Sequence, residues 1–354
     1  MSNIKPGSTN YWHLGGKIDP ISEIKNAGVL TSGNVYWVKD PSDNDYLEFK
    51  DSVGADNLFD TIAAALAVCK SDENDYVFVC PKKDGSAWTI TTALTLNQDK
   101  VHLISLGYNP KLNGTGYSNT LQGWGTSDTT TVPTAGFLNI TGNGCEVAGF
   151  RLLATAGTSL LGSVGADGGT AGLITIASNG NYFHDLAIER TGAAWDDGTP
   201  SHLIMAGSTK SQQLFENVFV NAGTQTASAM GMCRLPQSGL GWEFKNCTFL
   251  KTGNATTDHP FTGGAGTANG IAASFEDCKF VFAAGGTAPA MVLGGSMPVG
   301  AYHLFKDCMG VNVTNFGTGD GVKITPSFAG GTINNLLQNP GIAIPGTALI
   351  VTKT

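Results

Sequence analysis

The 354-residue sequence predicts an all-β fold: a single-stranded right-handed parallel β-helix with an N-terminal capping helix and an extended N-terminal arm. Three observations carry this expectation. A six-residue unit returns about every thirty residues, its third position is always Gly, Asp or Asn, and a second short apolar strand precedes most copies. The copies begin at Val147, Phe183, Phe215, Phe244, Phe275 and Phe305, at intervals of 29 to 36 residues. Strand-like units at that period describe a chain stacked coil upon coil.

The unit has an internal logic. In a plain strand the side chains alternate faces, so two apolar residues three apart cannot both point inward. Yet Phe244 and Cys247 are three apart, as are Phe275 and Cys278. A bend must lie between them. The third position is Gly149, Asp185, Asn217, Asn246, Asp277 and Asp307 in turn, the residue types that tolerate a left-handed backbone. First, fourth and sixth positions then face the core. Second and fifth positions, such as Glu216, Lys245, Glu276, Lys279 and Lys306, face solvent.

The preceding strands are expected at Leu138–Ile140, Leu173–Ile176, Leu203–Met205, Gly270–Ala273 and Ala290–Leu293, followed by turns such as Ser178-Asn179-Gly180-Asn181. Strand, corner, strand and loop complete a lap, and parallel crossovers favour the right hand. With strands about 4.8 Å apart, some eight laps make a rod of roughly 40 Å.

Four segments are expected. Residues 1–34 are polar, contain Gly and lack a period, and read as the extended arm; residues 35–110 form an N-terminal cap and first coils. Within the cap, apolar residues at 58, 59, 62, 66 and 69 predict one helix over about 56–70, with Asp56 placed to cap it. Strands are expected at Asn34–Val38, Tyr76–Pro81, Trp88–Leu96 and Val101–Leu106. Residues 111–335 form the coils. Residues 336–354, with the apolar run Ile342–Val351, form a C-terminal closing or oligomerisation segment.

The runs Val35–Val38, Phe59–Leu66, Tyr76–Pro81, Leu94–Leu96 and Val101–Leu103 resemble the start of pectate-lyase-like right-handed β-helices, and the resemblance extends over residues 35–350. That superfamily includes polysaccharide lyases and hydrolases and many bacteriophage tailspikes and virion surface proteins. The resemblance implies the fold and transfers no catalytic residue. The lyases' calcium-binding aspartates with a nearby catalytic Arg or Lys have no counterpart in this sequence.

Composition narrows the function classes. The net charge is −8 with no basic run, which speaks against nucleic acid and anionic membrane as partners. No stretch of eighteen apolar residues is present, and Met1–Pro6 lacks the apolar region of a secretory signal, so synthesis in a host cytoplasm is expected. Seven cysteines match no zinc spacing. Cys247, Cys278 and Cys308 share the inward slot of successive units and are expected to form a column of buried thiols. No metal and no cofactor is expected.

Candidate chemistry must therefore lie on the loops. Glu189 and the neighbouring Trp195-Asp196-Asp197 are the first set. A tryptophan beside paired carboxylates suits sugar stacking, and two carboxylates can serve as acid and base on a glycosidic bond. The bland reading is a turn whose Trp195 packs on a neighbour. Asp258-His259 is a second set, with His259 as a general base or simply exposed. The corner aspartates Asp185, Asp277 and Asp307 are read as structural.

The expected function is accordingly a non-enzymatic virion protein: a homotrimeric capsid decoration or cement subunit, attached to the major capsid protein through residues 1–34. The alternative is a tailspike that binds or depolymerises a host surface glycan as a polysaccharide hydrolase or lyase. There Glu189, Asp196 and Asp197 would be catalytic and Trp195 would bind ligand.

Overall fold

In the computed structural model the third position of every repeat unit adopts the left-handed conformation that its residue type suggested. Gly149 has φ 78°, Asp185 51°, Asn217 54°, Asn246 51°, Asp277 54° and Asp307 53°. Each of the first five donates its N–H to a carbonyl of the following coil: Gly149 to His184, Asp185 to Glu216, Asn217 to Lys245, Asn246 to Glu276 and Asp277 to Lys306. The bend therefore turns the chain and, with the same residue, ties it to its neighbour.

The structure describes residues 33–90, 93–106, 120–123, 138–155, 172–191, 202–206, 209–225, 232–235, 240–253, 261–262, 270–283, 293–294, 301–311 and 322–324. Their strands form three sheets of eleven, eight and seven strands, and every pairing is parallel. One lap runs from Leu138–Ile140 in the seven-stranded sheet to Glu146–Ala148 in the eleven-stranded sheet, then to Arg151–Thr155 in the eight-stranded sheet. The next lap repeats it with Gly172–Ile176, Tyr182–His184 and Ala187–Thr191. This is the right-handed parallel β-helix that the sequence predicts.

A second column of left-handed residues turns the other described corner, between the seven- and eleven-stranded sheets: Lys100, Gly144, Gly180, Gln212 and Gly241. Asn181 anchors this corner from inside. Buried, its side-chain amide donates to Ser178 Oγ and Gln213 Oε1 at 3.0 Å each, while its Oδ1 accepts the N–H of Cys145 at 2.9 Å. A buried amide so fully bonded costs nothing in unpaired polarity and fixes the turn.

Inside, the first positions stack. The rings of Phe183, Phe215, Phe244, Phe275 and Phe305 lie 4.7 to 5.0 Å apart and within 13° of parallel. Offset ring pairs of this kind each contribute about 0.5–1.5 kcal/mol beyond their area burial. Phe249 and Phe280 continue the pattern at the sixth position. The fourth position holds the buried cysteines: the thiols of Cys278 and Cys308 donate to the carbonyls of Phe244 and Phe275, each at 3.3 Å. The expected thiol column is present.

The N-terminal end differs from expectation in three ways. The helix predicted over about 56–70 is confined to Ile62–Val68. Thr61, not Asp56, caps it, accepting the N–H of Ala64 at 3.2 Å. Asp56 lies in a turn of 3-10 helix, and Leu58–Phe59 is drawn off as a strand pairing with Trp37–Val38. A further helix, Tyr46–Val53, was not foreseen. Tyr76–Val79 is buried on both faces, so its outer side needs a cover. Val53, with Tyr46 and Phe49, joins Val35, Trp37, Leu58, Tyr76, Phe78 and Cys80 in a second small core there. Finally, the run 88–96 is two strands: Trp88–Ile90 belongs to the eight-stranded sheet and Leu94–Leu96 to the seven-stranded one.

Helix Ile62–Val68 buries Ile62, Ala65 and Leu66 against the first strands of the rod, closing the core as the sequence suggested for the cap. One preceding strand also shifts, and of the other, expected at Ala290–Leu293, only Leu293 falls among the described residues. Gly270–Ala273 has no Gly or Asn turn after it, so Gly270–Glu276 runs as one eleven-stranded-sheet strand, and Phe261–Thr262 supplies the seven-stranded-sheet strand of that lap. The later strand is Leu293–Gly294. Residues 1–32 and 325–354 lie outside the described residues, with most of the expected arm and all of the C-terminal segment.

The corner column makes a graded test. Asp277→Gly should leave chemical unfolding nearly unchanged, whereas Asp277→Val should cost about 1–2 kcal/mol because a β-branched residue resists the left-handed region. Gly149→Ala should cost at least as much, since an added Cβ would sit 2.8 Å from the Ser105 carbonyl oxygen. Equal tolerance of Gly and Val at position 277 would contradict the corner as the constraint.

Candidate functional site

Along the outer face of the eleven-stranded sheet, residues in register form columns. One column runs Tyr76, His102, Glu146 and Tyr182. The column beside it runs Trp37, Phe78, Ile104, Ala148, His184, Glu216, Lys245, Glu276 and Lys306. Its first members are apolar and are covered by helix Tyr46–Val53 in the second core. Where that cover ends, the face becomes polar.

The polar part is densest around Glu146. One carboxylate oxygen, Oε2, lies 2.5 Å from His102 Nδ1, and the other, Oε1, lies 2.7 Å from His184 Nε2. The far side of the His184 ring, Nδ1, meets Asp185 Oδ2 at 2.9 Å, and the far side of the His102 ring, Nε2, meets Asn74 Oδ1 at 2.9 Å. Tyr76 stacks on His102 with ring centres 4.2 Å apart, and Tyr182 stacks on His184 at 4.3 Å. The Tyr182 hydroxyl donates to Glu216 Oε2 at 2.6 Å, and Asn217 Nδ2 donates to Asp185 Oδ1. A chain of polar contacts thus links residues of four neighbouring strands, those of His102, Glu146, His184 and Glu216.

Its electrostatics follow from those contacts. Burial pushes the Glu146 carboxyl up, but the two histidines outweigh it and hold the group at about 2. Burial likewise lowers His184, and the carboxylates of Glu146 and Asp185 overcome this and raise it. The Tyr182 hydroxyl is raised by burial and by its bond to Glu216. Further along, Glu216, Lys245, Glu276 and Lys306 alternate in sign, with Lys306 bonded to Glu276. Every ring nitrogen and both Glu146 oxygens already have a protein partner, so the arrangement ties coils together rather than offering an empty acid–base pair.

The candidates from the sequence fare differently. Glu189 is ion-paired. Arg151, from the coil before, brings Nε and Nη2 to its Oε2 at 2.8 and 2.6 Å. Asp185, Asp277 and Asp307 are corner residues, as expected. Trp195, Asp196, Asp197, Asp258 and His259 lie outside the described residues. His102, Glu146 and His184 carried no sequence signal, because 44 residues separate the strands of His102 and Glu146 and only the register brings them together. Among the described residues, no group of three or more His, Cys, Asp or Glu is arranged to hold a metal ion. No helix among them is long and apolar enough to cross a membrane.

No family model and no curated protein matches the chain. Among solved structures, the chain is similar to a pectin methylesterase mutant in complex with a hexasaccharide, at 11% identity over 84% of this chain and 94% of that one, with a TM-score of 0.42. It is also similar to pectin methylesterase PemA from Erwinia chrysanthemi, at 12% identity over 83% and 81% of the two chains and a TM-score of 0.40. A third is the ORF18 protein of Geobacillus virus E2, at 11% identity over 76% of this chain and 58% of that one, with a TM-score of 0.24.

The buried thiols give this subsection its test. Burial pushes Cys69 and Cys80 up to about 12 and Cys145 to about 11, and it raises Cys233 and Cys278 well above the ordinary value. A thiolate is the reactive form. A disulfide reagent at pH 8 should therefore find almost no reactive thiol in the native chain and all seven after denaturation. Prompt reaction of Cys247, Cys278 or Cys308 in the native chain would remove the buried column.

Proposed function

We propose that the chain is a non-enzymatic structural protein of a bacteriophage virion, with the β-helix as a rigid body on the particle surface. The more specific reading is a homotrimeric decoration or cement subunit joined to the major capsid protein through residues 1–34. The observation that carries the non-enzymatic reading is how the described polar groups are used. Glu189 is forked by Arg151, Glu146 is shared by His102 and His184, and the corner aspartates turn the backbone. Chemistry-bearing side chains are spent on coupling one coil to the next, which is what a stiff surface body needs.

A polar segment without a hydrophobic period, such as residues 1–34, suits attachment along a partner surface. Apolar residues at 342–351 suit burial between subunits. The glycan reading keeps one supporting observation. In the sequence, Gly192, Ala193 and Ala194 separate Trp195, Asp196 and Asp197 from the end of strand Ala187–Thr191 in the eight-stranded sheet.

Copy number separates the two. Quantitative mass spectrometry of purified particles should find hundreds of copies for a decoration subunit and a handful for a tailspike. Deleting residues 1–34 should abolish attachment while leaving a soluble trimer, and unchanged attachment would sink the arm. Release of oligosaccharide from host glycan by the intact chain, lost in Asp196→Asn or Asp197→Asn, would overturn the non-enzymatic reading.

A further inference from the structure

We propose that His184 is a proton-operated clasp: its doubly protonated ring locks the coil carrying Glu146 to the corner at Asp185, and loss of one proton releases one of the two bonds. The inference rests on side-chain geometry and stands apart from where the rod is displayed.

A neutral imidazole has one N–H and one lone pair. His184 presents both nitrogens to carboxylate oxygens, Nε2 to Glu146 at 2.7 Å and Nδ1 to Asp185 at 2.9 Å. Only the imidazolium can donate at both ends. In the neutral ring, one contact sets a lone pair against an oxygen of the same sign. The bond that fails is replaced by repulsion, so the change is larger than the loss of one hydrogen bond.

The groups facing the ring reinforce this. From the preceding strand comes Glu146, with His102 on its far oxygen. From the ring's own strand come Asp185 and the stacked Tyr182. From the following strand comes Glu216, which is the register partner of His184 and accepts from Tyr182, and beyond it lies Lys245. Asn217 holds the other oxygen of Asp185 in place. Three carboxylates thus surround one ring, against a single remote ammonium.

The pH window follows from the signs. His184 is raised in the folded chain, despite burial, by Glu146 and Asp185, so the stabilisation is complete below the ordinary histidine value of about 6.5. It is lost as pH rises through the raised folded value. Glu146 is lowered to about 2, so its contribution is complete above about 4.3 and fails only in stronger acid. The clasp is closed between those limits and opens on the alkaline side. Opening acts where the amides of Gly149 and Asp185 bond across coils, to His184 and Glu216.

The test uses the full chain. Hydrogen exchange of the segments 146–149 and 182–186 is followed from pH 5.5 to 9 after correction for the intrinsic rate, together with the NMR titration of the His184 ring. Protection should fall as the ring deprotonates, because the bond lost at one nitrogen is replaced by repulsion. His184→Gln should show lower protection at 182–186, away from the His102 contact to Glu146, that no longer depends on pH in this range. Glu146→Gln should lower the His184 titration midpoint by about a unit, a readout that a purely structural contact would not move. Constant protection in the unaltered chain, retention of the pH dependence in His184→Gln, or an unmoved midpoint in Glu146→Gln would each overturn the clasp.

Discussion

One backbone conformation governs the rod: the left-handed residue at the third position of each unit, whose N–H reaches the next coil. It breaks the two-residue alternation once per lap, so that Phe275 and Cys278 both reach the core although they are three apart. Because its hydrogen bond lands on the same carbonyl position of each following coil, it also fixes register. The phenylalanine stack, the thiol column and the outer columns of the eleven-stranded sheet all inherit their alignment from that bond. A slip of one residue would turn every one of them over.

Register in turn explains why the outer face divides as it does. Strands near the N-terminal end are apolar on both sides, and their outer side chains, Trp37 and Phe78, are buried beneath helix Tyr46–Val53. Beyond the helix, the same columns carry His102, Glu146, His184 and then charges of alternating sign. Like charges directly opposite on neighbouring strands repel, so alternation is the arrangement a parallel stack of charged residues tolerates. Most of these pairs are exposed and add little to stability. Around Glu146 the groups are half-buried, and there the contacts decide which protonation state the fold prefers.

What could be read from the sequence was what repeats. Gly, Asp and Asn at the third position, Phe at the first and Cys at the fourth announce the corner, the inward face and the thiol column, because each choice is local and recurs. The cap was harder. Asp56 and Thr61 are both good caps, and Leu58 and Phe59 fit a helix as well as a strand; pairing with Trp37–Val38 settled it, and that contact is not local. Helix Tyr46–Val53 was hidden because its partner surface is the outer side of strands whose inner side alone was evident. His102, Glu146 and His184 were hidden because their meeting depends on register across loops of irregular length.

Inside and outside of the rod therefore answer to different conditions. The core is held by ring stacking, apolar burial and thiols such as Cys233 and Cys278, which burial holds protonated well above the ordinary thiol range. Its corners are held by backbone bonds, which do not titrate. The cluster on the outer face has charged partners, and its histidine is held protonated to higher pH than an ordinary imidazole by Glu146 and Asp185. Since the Phe183 and Phe215 rings remain stacked behind it, losing the His184 bridge loosens the surface of those coils without unstacking them. A titrating group placed on the outside of such a rod can alter local opening while leaving the fold intact, and the same group in the core could not.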